Sequence, residues 1–409
     1  MATAEDQRPA RFRDAFAVRQ FRTVWIAYAL SVAGDQLAAV ALSVLVFDRT
    51  GSPAWAVLTY ALTFLPDLLG GPLLAGLADL FPRRTIMVTA DVARAALVGL
   101  MAVPGLPLAV VAVLLFVVQL LSSPFTAARG AVVPVLLGGD RYVAGMTIMR
   151  MTYQLGSVAG FAVGGAVLAG LGTSRALLID ALTFVASALL VRFGLPALRP
   201  ASAVAHQRPS WWSTLHGGWR LVMHDRRLRA LIGLACVSGA YIAPTGLAVV
   251  YAAQIHGNAA AVGILMAANP AGMVLGMIVL QRLRPSLRLT LFGPLAVATC
   301  AALIPTWSTP GLMVAAGLWF LSGIGSAYNM ITQATFVQHV PDHRRGQALG
   351  LAQTSLRVAQ GIGLVGAGLL AQVFRPGTVV GVLGAVGVVI AALAANAWSR
   401  ANAPAKAAD

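Results

Sequence analysis

Charge is scarce in this sequence. Of its 409 residues only 10% are Asp, Glu, Lys or Arg, while 58% are hydrophobic. An ordinary soluble domain carries roughly 25% charged residues, so most of this chain is expected not to face water. Acidic residues are rarest, with 13 against 29 Lys and Arg. Cysteine is nearly absent. Cys236 and Cys300 both lie inside apolar runs, which excludes a disulfide framework or a zinc site and leaves them a packing role. There is no Ser/His/Asp set, no metal-ligand cluster and no phosphate-cradling glycine loop. His206, His216 and His224 all fall in one linker. The expectation is therefore a protein that is not an enzyme, with no cofactor and no metal. Strict apolar/polar alternation is also missing, so the long runs read as helices and not as strands of a barrel.

What is present is a series of apolar runs, each near the roughly 20 residues that a helix needs to cross a bilayer. They are Thr23–Phe47, Ala54–Leu77, Thr85–Val103, Leu108–Ala128, Val143–Leu171, Ala176–Phe193, Arg229–Ala253, Ala260–Leu280, Leu289–Ile304, Gly311–Phe336, Gln347–Val373 and Thr378–Trp398. The fold class is all-α membrane protein, with about twelve transmembrane helices. Basic residues alternate between the links. They crowd the N-terminal arm, the pair Arg83 and Arg84, the positions Arg129 and Arg141, the long link from Arg192 to Arg229, the trio Arg282, Arg284 and Arg288, the pair Arg344 and Arg345, and the tail with Arg400 and Lys406. The other links hold only Arg49, Arg175 and Arg375. This is the positive-inside pattern, and it places both termini in the cytoplasm of a bacterial inner membrane. A net charge of +16 distributed this way does not read as a nucleic-acid patch. The first run is too long for a cleaved signal peptide.

The chain divides into a cytoplasmic arm (1–22), an N-terminal bundle (23–193), a linker (194–228), a C-terminal bundle (229–398) and a cytoplasmic tail (399–409). The linker holds Trp211, Trp212 and Trp219 among His and Arg. It reads as a basic amphipathic helix on the inner membrane face, or as a tether with interfacial tryptophans. The two six-helix halves carry a weak parallel repeat. Pro66 and Arg84 are matched by Pro270 and Arg288; Pro134 and Arg150 are matched by Pro341 and Arg357. Such repeats build a central site between two bundles, with broken helices at matched places.

Two stretches carry mechanism. The link Ala75-Gly76-Leu77-Ala78-Asp79-Leu80-Phe81-Pro82-Arg83-Arg84 places a carboxylate and paired arginines at a cytoplasmic helix end, where Asp79 can dock on a neighbouring helix N-terminus. The fifth span carries Gly156, Gly160, Gly164 and Gly165, a small-residue stripe that lets backbones approach closely.

Here the chain resembles the major facilitator superfamily. The link is similar to that family's signature between its second and third helices, and the glycine run resembles its antiporter motif. Within the superfamily it looks most like the macrolide-efflux and enterobactin-exporter group. Supporting segments are Leu30–Asp35, Leu65-Pro66, Gly71–Leu73, Asp91–Ala95, Asp180–Phe184 and Val340–Asp342. Ala75, Leu80, Pro82 and Phe161 depart from the family pattern, and the fourth span has no central arginine. The resemblance implies alternating access and export of a small amphipathic substrate (a drug, metabolite or siderophore-like compound), coupled to protons, by a monomer embedded in lipid. Uptake, lipid flipping and a non-transporting scaffold are the alternatives.

A mid-bilayer charge costs ~2.5–3.5 kcal/mol, so intramembrane carboxylates should face a cavity or a partner. Burial disfavours the charged form of a carboxylate and lets it take and release a proton. Between Arg229 and Trp398 the only acidic residue is Asp342, so a carboxylate proton carrier belongs to the N-terminal half. Asp35 is the first choice, against a structural hydrogen bond. Asp67, beside Pro66, either carries protons or stabilises a kink. Asp91 and Arg94 share a helix face and read as an ion pair or as part of the charge network with Asp79, Arg83 and Arg84. Asp180 reads as structural, near Arg175. Candidate cavity groups are Gln119, Arg150, Tyr153 and Gln154 in one half, and Tyr241, Asn269, Tyr328, Asn329, Gln333 and Arg357 in the other. The matched Arg150 and Arg357 could bind an anionic substrate, or could sit near the inner surface or on backbone carbonyls.

Overall fold

The structure, a computed structural model, describes residues 12–63, 66, 70, 81–196, 219–341 and 344–402. Among the described residues all regular structure is helical. The helices are α1 (Phe12–Phe16), α2 (Arg19–Thr50), α3 (Pro53–Leu62), α4 (Arg83–Met101), α5 (Leu108–Leu136), α6 (Asp140–Leu171), α7 (Thr173–Gly194), α8 (Arg226–Cys236), α9 (Ser238–Tyr241), α10 (Ala243–Gln254), α11 (Ala259–Arg282), α12 (Pro285–Ala301), α13 (Leu312–Ser326), α14 (Tyr328–His339), α15 (Arg345–Leu370) and α16 (Pro376–Asn402). Nine described helical stretches are long and apolar enough to cross a membrane. α4 carries Arg84, Asp91 and Arg94 and α15 carries Gln353, Arg357 and Gln360, which lowers their apolar character. Apolar side chains such as Leu182, Phe193, Ile362, Val373 and Leu393 stand exposed, as surfaces solvated by lipid tails would.

Local chemistry sets the helix ends. Pro107 precedes α5, where a missing N–H costs nothing. Gly172, with φ of +78°, makes the left-handed corner between α6 and α7 that a side chain would resist. Asp225 and Asn258 cap α8 and α11 by accepting the N–H of Arg227 and Ala261, as short polar N-cap residues do.

Several sequence expectations are corrected. α5 runs on to Leu136, so Arg129 and Pro134 lie inside a helix and not in a link, and Arg141 belongs to the first turn of α6. Proline at a helix interior removes one hydrogen bond without ending the helix when neighbours pack it. The same holds for Pro270, which α11 passes through unbroken. Breaks occur elsewhere: Val237 and Ile242 divide α8, α9 and α10, and Ala327 divides α13 from α14. Of the linker, residues 219–224 are helical; Trp211 and Trp212 lie outside the described residues, as do Asp67, Asp79 and Asp342.

By packing, the chain falls into two units. One holds the chain up to Ala41 and from Leu62 through the end of α7; the other holds Leu42–Ala61 and all that is described after Gln207. In the first unit, α6 lies against α2. A Cβ on Gly156 would meet Val32, one on Gly160 would stand 2.7 Å from the Ala33 carbonyl, and one on Gly164 would stand 3.0 Å from Leu37 Cα. In the second unit, α15 lies equally close to α9: a Cβ on Gly363 would overlap the Gly239 carbonyl. Gly156 and Gly363 are separated by as many residues as Arg150 and Arg357, and so are Val32 and Gly239. The repeat read from the sequence thus recurs as a repeated helix contact. Within the second unit α3 also packs tightly, with Val57 against Gly246 and Gly368.

Candidate functional site

One helix face organises the polar interior of the first unit. Tyr28, Ser31 and Asp35 recur at intervals of three and four on α2, which puts them on one side. Two arginines from neighbouring helices answer them. The Arg129 guanidinium of α5 lies 3.6 Å over the Tyr28 ring. Arg94 of α4 donates from Nη2 to Asp35 Oδ1 at 2.7 Å, with Ser31 Oγ 3.4 Å from its Nη1.

Arg94 is only 1% exposed, and its surroundings account for its charge. Asp91, one helical turn earlier, lies 3.7 Å from Nη1 through Oδ1. The Phe184 ring of α7 sits 4.0 Å from the guanidinium carbon, in position for a cation–π contact. Asp91 is sealed at 0% exposure, and Ser187 of α7 donates to its Oδ2 at 2.5 Å. A third carboxylate, Asp180, is 1% exposed. Its Oδ1 lies beside the backbone of Gly34 and within 3.4 Å of the Thr183 hydroxyl. Asp35 and Asp91 therefore share one buried guanidinium, and Asp180 lies close by, against the backbone next to Asp35. Asp35 differs from the other two in being open: its side chain is 31% exposed.

The structure thus joins Asp35, Asp91 and Arg94 in one cluster. It adds Asp180, whose expected neighbour was Arg175, together with Ser31 and Ser187, which sequence reading passed over. A signal existed: Asp180, Thr183 and Ser187 mark one face of an otherwise apolar helix. The Arg129–Tyr28 stack was hidden by placing Arg129 outside the membrane span.

The glycine stripe of α6 supports this site from the other side of α2. Gly156, Gly160 and Gly164 meet Val32, Ala33, Gln36 and Leu37, and the Gln36 amide donates to Ser157 Oγ at 2.8 Å. Gly165 is buried on the same helix. Arg83 and Arg84 join no described carboxylate. Arg83 donates to the Ala131 carbonyl at 2.7 Å and Arg84 to the Leu195 carbonyl at 3.1 Å. Arg84 thereby closes the C-terminal end of α7, where the helix dipole favours a cation.

The cavity candidates separate. Gln119 is buried in α5, Gln154 is half-buried, and Arg150 and Tyr153 are exposed. In the second unit Asn329 donates to the Tyr241 hydroxyl, joining the two helix breaks. Tyr328 is fully buried and donates to the Leu234 carbonyl at 2.8 Å. It satisfies a carbonyl near the α8–α9 break. Asn269, Gln333 and Arg357 are half-buried.

Comparison with known proteins follows the same lines. The family model described as Major Facilitator Superfamily matches residues 24–340. The chain is 28% identical over 375 residues to the enterobactin exporter EntS of Escherichia coli O1:K1, covering 85% of this chain and 84% of that one. It is 27% identical to the enterobactin exporter EntS of Citrobacter koseri over the same shares. Among solved structures, a bacterial homologue of the iron transporter ferroportin in its inward-facing state aligns with a TM-score of 0.70 at 14% identity, covering 94% of this chain and 99% of that one. A bacterial homologue of the human lysosomal transporter Spinster aligns with a TM-score of 0.69 at 13% identity, covering 94% and 98%. At these identities the solved structures speak for the fold.

Proposed function

The chain belongs to the major facilitator superfamily of multi-pass membrane transporters, and from that premise we propose that it exports a small amphipathic molecule from the cytoplasm in exchange for protons, with Asp35 as the proton site. The observation that carries the proton site is the asymmetry of the charge cluster: Asp35 pairs with Arg94 yet keeps 31% of its side chain open, while Asp91 and Asp180 are sealed. A proton carrier must reach water and also hold a partner that responds when its charge is lost. Asp35 meets both needs. The small-residue contact of α6 on α2 supports the same segment as a moving part, because it lets two backbones slide with little side-chain interference.

Export is supported by likeness to siderophore exporters over most of both chains. The substrate class on this reading is a small amphipathic compound, siderophore-like, a secondary metabolite or a drug. Both termini lie in the cytoplasm on this reading, and the unit of function is the monomer.

The test is efflux from proteoliposomes, with and without an imposed pH gradient, across a panel holding catecholate siderophores and macrolides. The wild-type chain concentrates its substrate only with the gradient. Asp35→Asn mimics the protonated state: it keeps substrate exchange and loses gradient-driven accumulation. Asp35→Glu keeps part of the driven transport because a titrating group survives. Full driven export by Asp35→Asn would exclude Asp35 as the carrier.

A further inference from the structure

Asp91 is not used by the transport scheme above, and its setting is unusual for a residue that merely holds helices together. Its Oδ2 accepts from Ser187 at 2.5 Å. Its Oδ1 is buried without a hydrogen-bond partner, although Arg94 Nη1 stands 3.7 Å away. The Nε of Arg94 is likewise buried and unpartnered. A buried polar atom left unpaired is costly, and the 3.7 Å between Arg94 Nη1 and Asp91 Oδ1 is short enough for a small shift of the guanidinium to close it. The Phe184 ring lies 4.0 Å from the guanidinium carbon. Its face attracts the cation without fixing it to a single acceptor.

We infer that Arg94 is a shared counter-ion that exchanges Asp35 for Asp91 during transport, an exchange that rests on Asp35 being the proton site. When a proton binds Asp35, that carboxyl becomes neutral and its hold on Nη2 weakens. Arg94 stays charged and closes on Asp91 Oδ1, which remains an anion. When the proton leaves, Arg94 returns to Asp35. Only a proton is gained or lost, and no buried cation is ever stranded. Asp91 thus acts through Arg94 as a positioning residue that eases protonation of Asp35. Among the described residues the groups around Asp35 are Ser31 and, a turn further, Tyr28 on α2; Asp91 and Arg94 on α4; and Asp180 with Thr183 on α7, while Arg129 of α5 stacks on Tyr28. Among these only Asp91 is both a carboxylate and within ion-pair distance of the arginine that holds Asp35.

The prediction can be read without a substrate. The full chain in lipid vesicles is titrated while the carbonyl stretch of protonated carboxyl groups is followed by infrared difference spectroscopy. The band that disappears in Asp35→Asn belongs to Asp35. In Asp91→Asn, Arg94 has only Asp35 to serve and a nearby negative charge is gone. The midpoint of the Asp35 band should then move toward acid by about one pH unit or more. Ser187→Ala keeps all charges but leaves the Asp91 anion to draw harder on Arg94, so it should move the midpoint the other way, toward alkali. Unchanged midpoints in both variants, or movement toward alkali in Asp91→Asn, would overturn the exchange and leave the proton site standing. Absence of any titrating band that Asp35→Asn removes would instead overturn the proton site, and the exchange with it.

Discussion

Gly34 touches Asp180. A Cβ built on Gly34 would overlap Asp180 Oδ1 and the Thr183 hydroxyl oxygen. The absence of a side chain at this point lets a sealed carboxylate of α7 reach the backbone of α2 beside Asp35. Gly34→Ala should therefore disturb the charge cluster. Overpacking of a tight site costs ~1–3 kcal/mol, and the thermal transition of the purified protein should fall accordingly. Gly34→Ala combined with Asp180→Ala and Thr183→Ala should recover most of that loss. An unaltered transition in the single variant would mean that Asp180 does not depend on this gap.

Arg94 provides the second prediction. Removing it alone, as Arg94→Met, leaves carboxylates buried with no counter-charge, a change that typically costs ~3–5 kcal/mol. The variant should give little monodisperse protein in detergent. Adding Asp35→Asn, Asp91→Asn and Asp180→Asn removes the stranded charges and should restore folding, though not transport. Normal yield of Arg94→Met by size-exclusion chromatography would refute the view that the guanidinium balances this cluster.

The glycine stripe gives a matched pair of variants. Gly160→Ala places a methyl group 2.7 Å from the Ala33 carbonyl oxygen, a backbone atom that cannot rotate away. Gly170 on the same helix has nothing within 4 Å. Gly160→Ala should lower thermal stability by ~1–3 kcal/mol and reduce transport further. Gly170→Ala should be neutral or slightly stabilising, since alanine favours helix more than glycine does. Equal behaviour of the two would show that close approach of α6 to α2 is not required.

Orientation is checked by cysteine labelling in intact cells. Gly138 and Thr173 flank α6 at opposite ends. In a background lacking Cys236 and Cys300, cysteine at position 173 should react with an impermeant maleimide from outside. Cysteine at position 138 should react only after the cells are permeabilised. Labelling of position 138 from outside would reverse the orientation.

Much of the architecture was legible in sequence because its cause is composition along the chain. Leu108–Leu136 and Pro376–Asn402 are long, apolar and free of internal acidic residues, and such segments have few alternatives to a membrane helix. Helix ends were less legible. Arg129 and Pro134 look like terminators, yet α5 continues through both, since stacking on Tyr28 gives the arginine a partner inside the protein. The breaks at Val237 and Ala327 have no proline beside them, so no local rule marks them, whereas the break at Ile242 is followed by Pro244 in the first turn of α10. Asp35 stood out because a carboxylate in an apolar helix is costly, whereas Ser31 and Ser187 did not, because serine is tolerated there without a special partner.

The sequence by itself determined that this chain lives in a membrane as a helical bundle with an internal repeat, and that any carboxylate carrier lies in its first half. Hydropathy, charge alternation and the position of each Asp are properties of the linear chain, and the bilayer reads them directly. The i,i+3 pair of Asp91 and Arg94 was legible in the sequence, but that Asp35 and Asp180 join it was decided only by the tertiary structure. Asp35, Asp91 and Asp180 are far apart in the chain, and α2, α4 and α7 each present several faces. Packing chose the faces: the glycines of α6 draw that helix onto one side of α2, Gly34 admits α7 on another, and Arg94 fills the space between. No periodicity within a single helix encodes that choice, because the energy that selects it arises between helices.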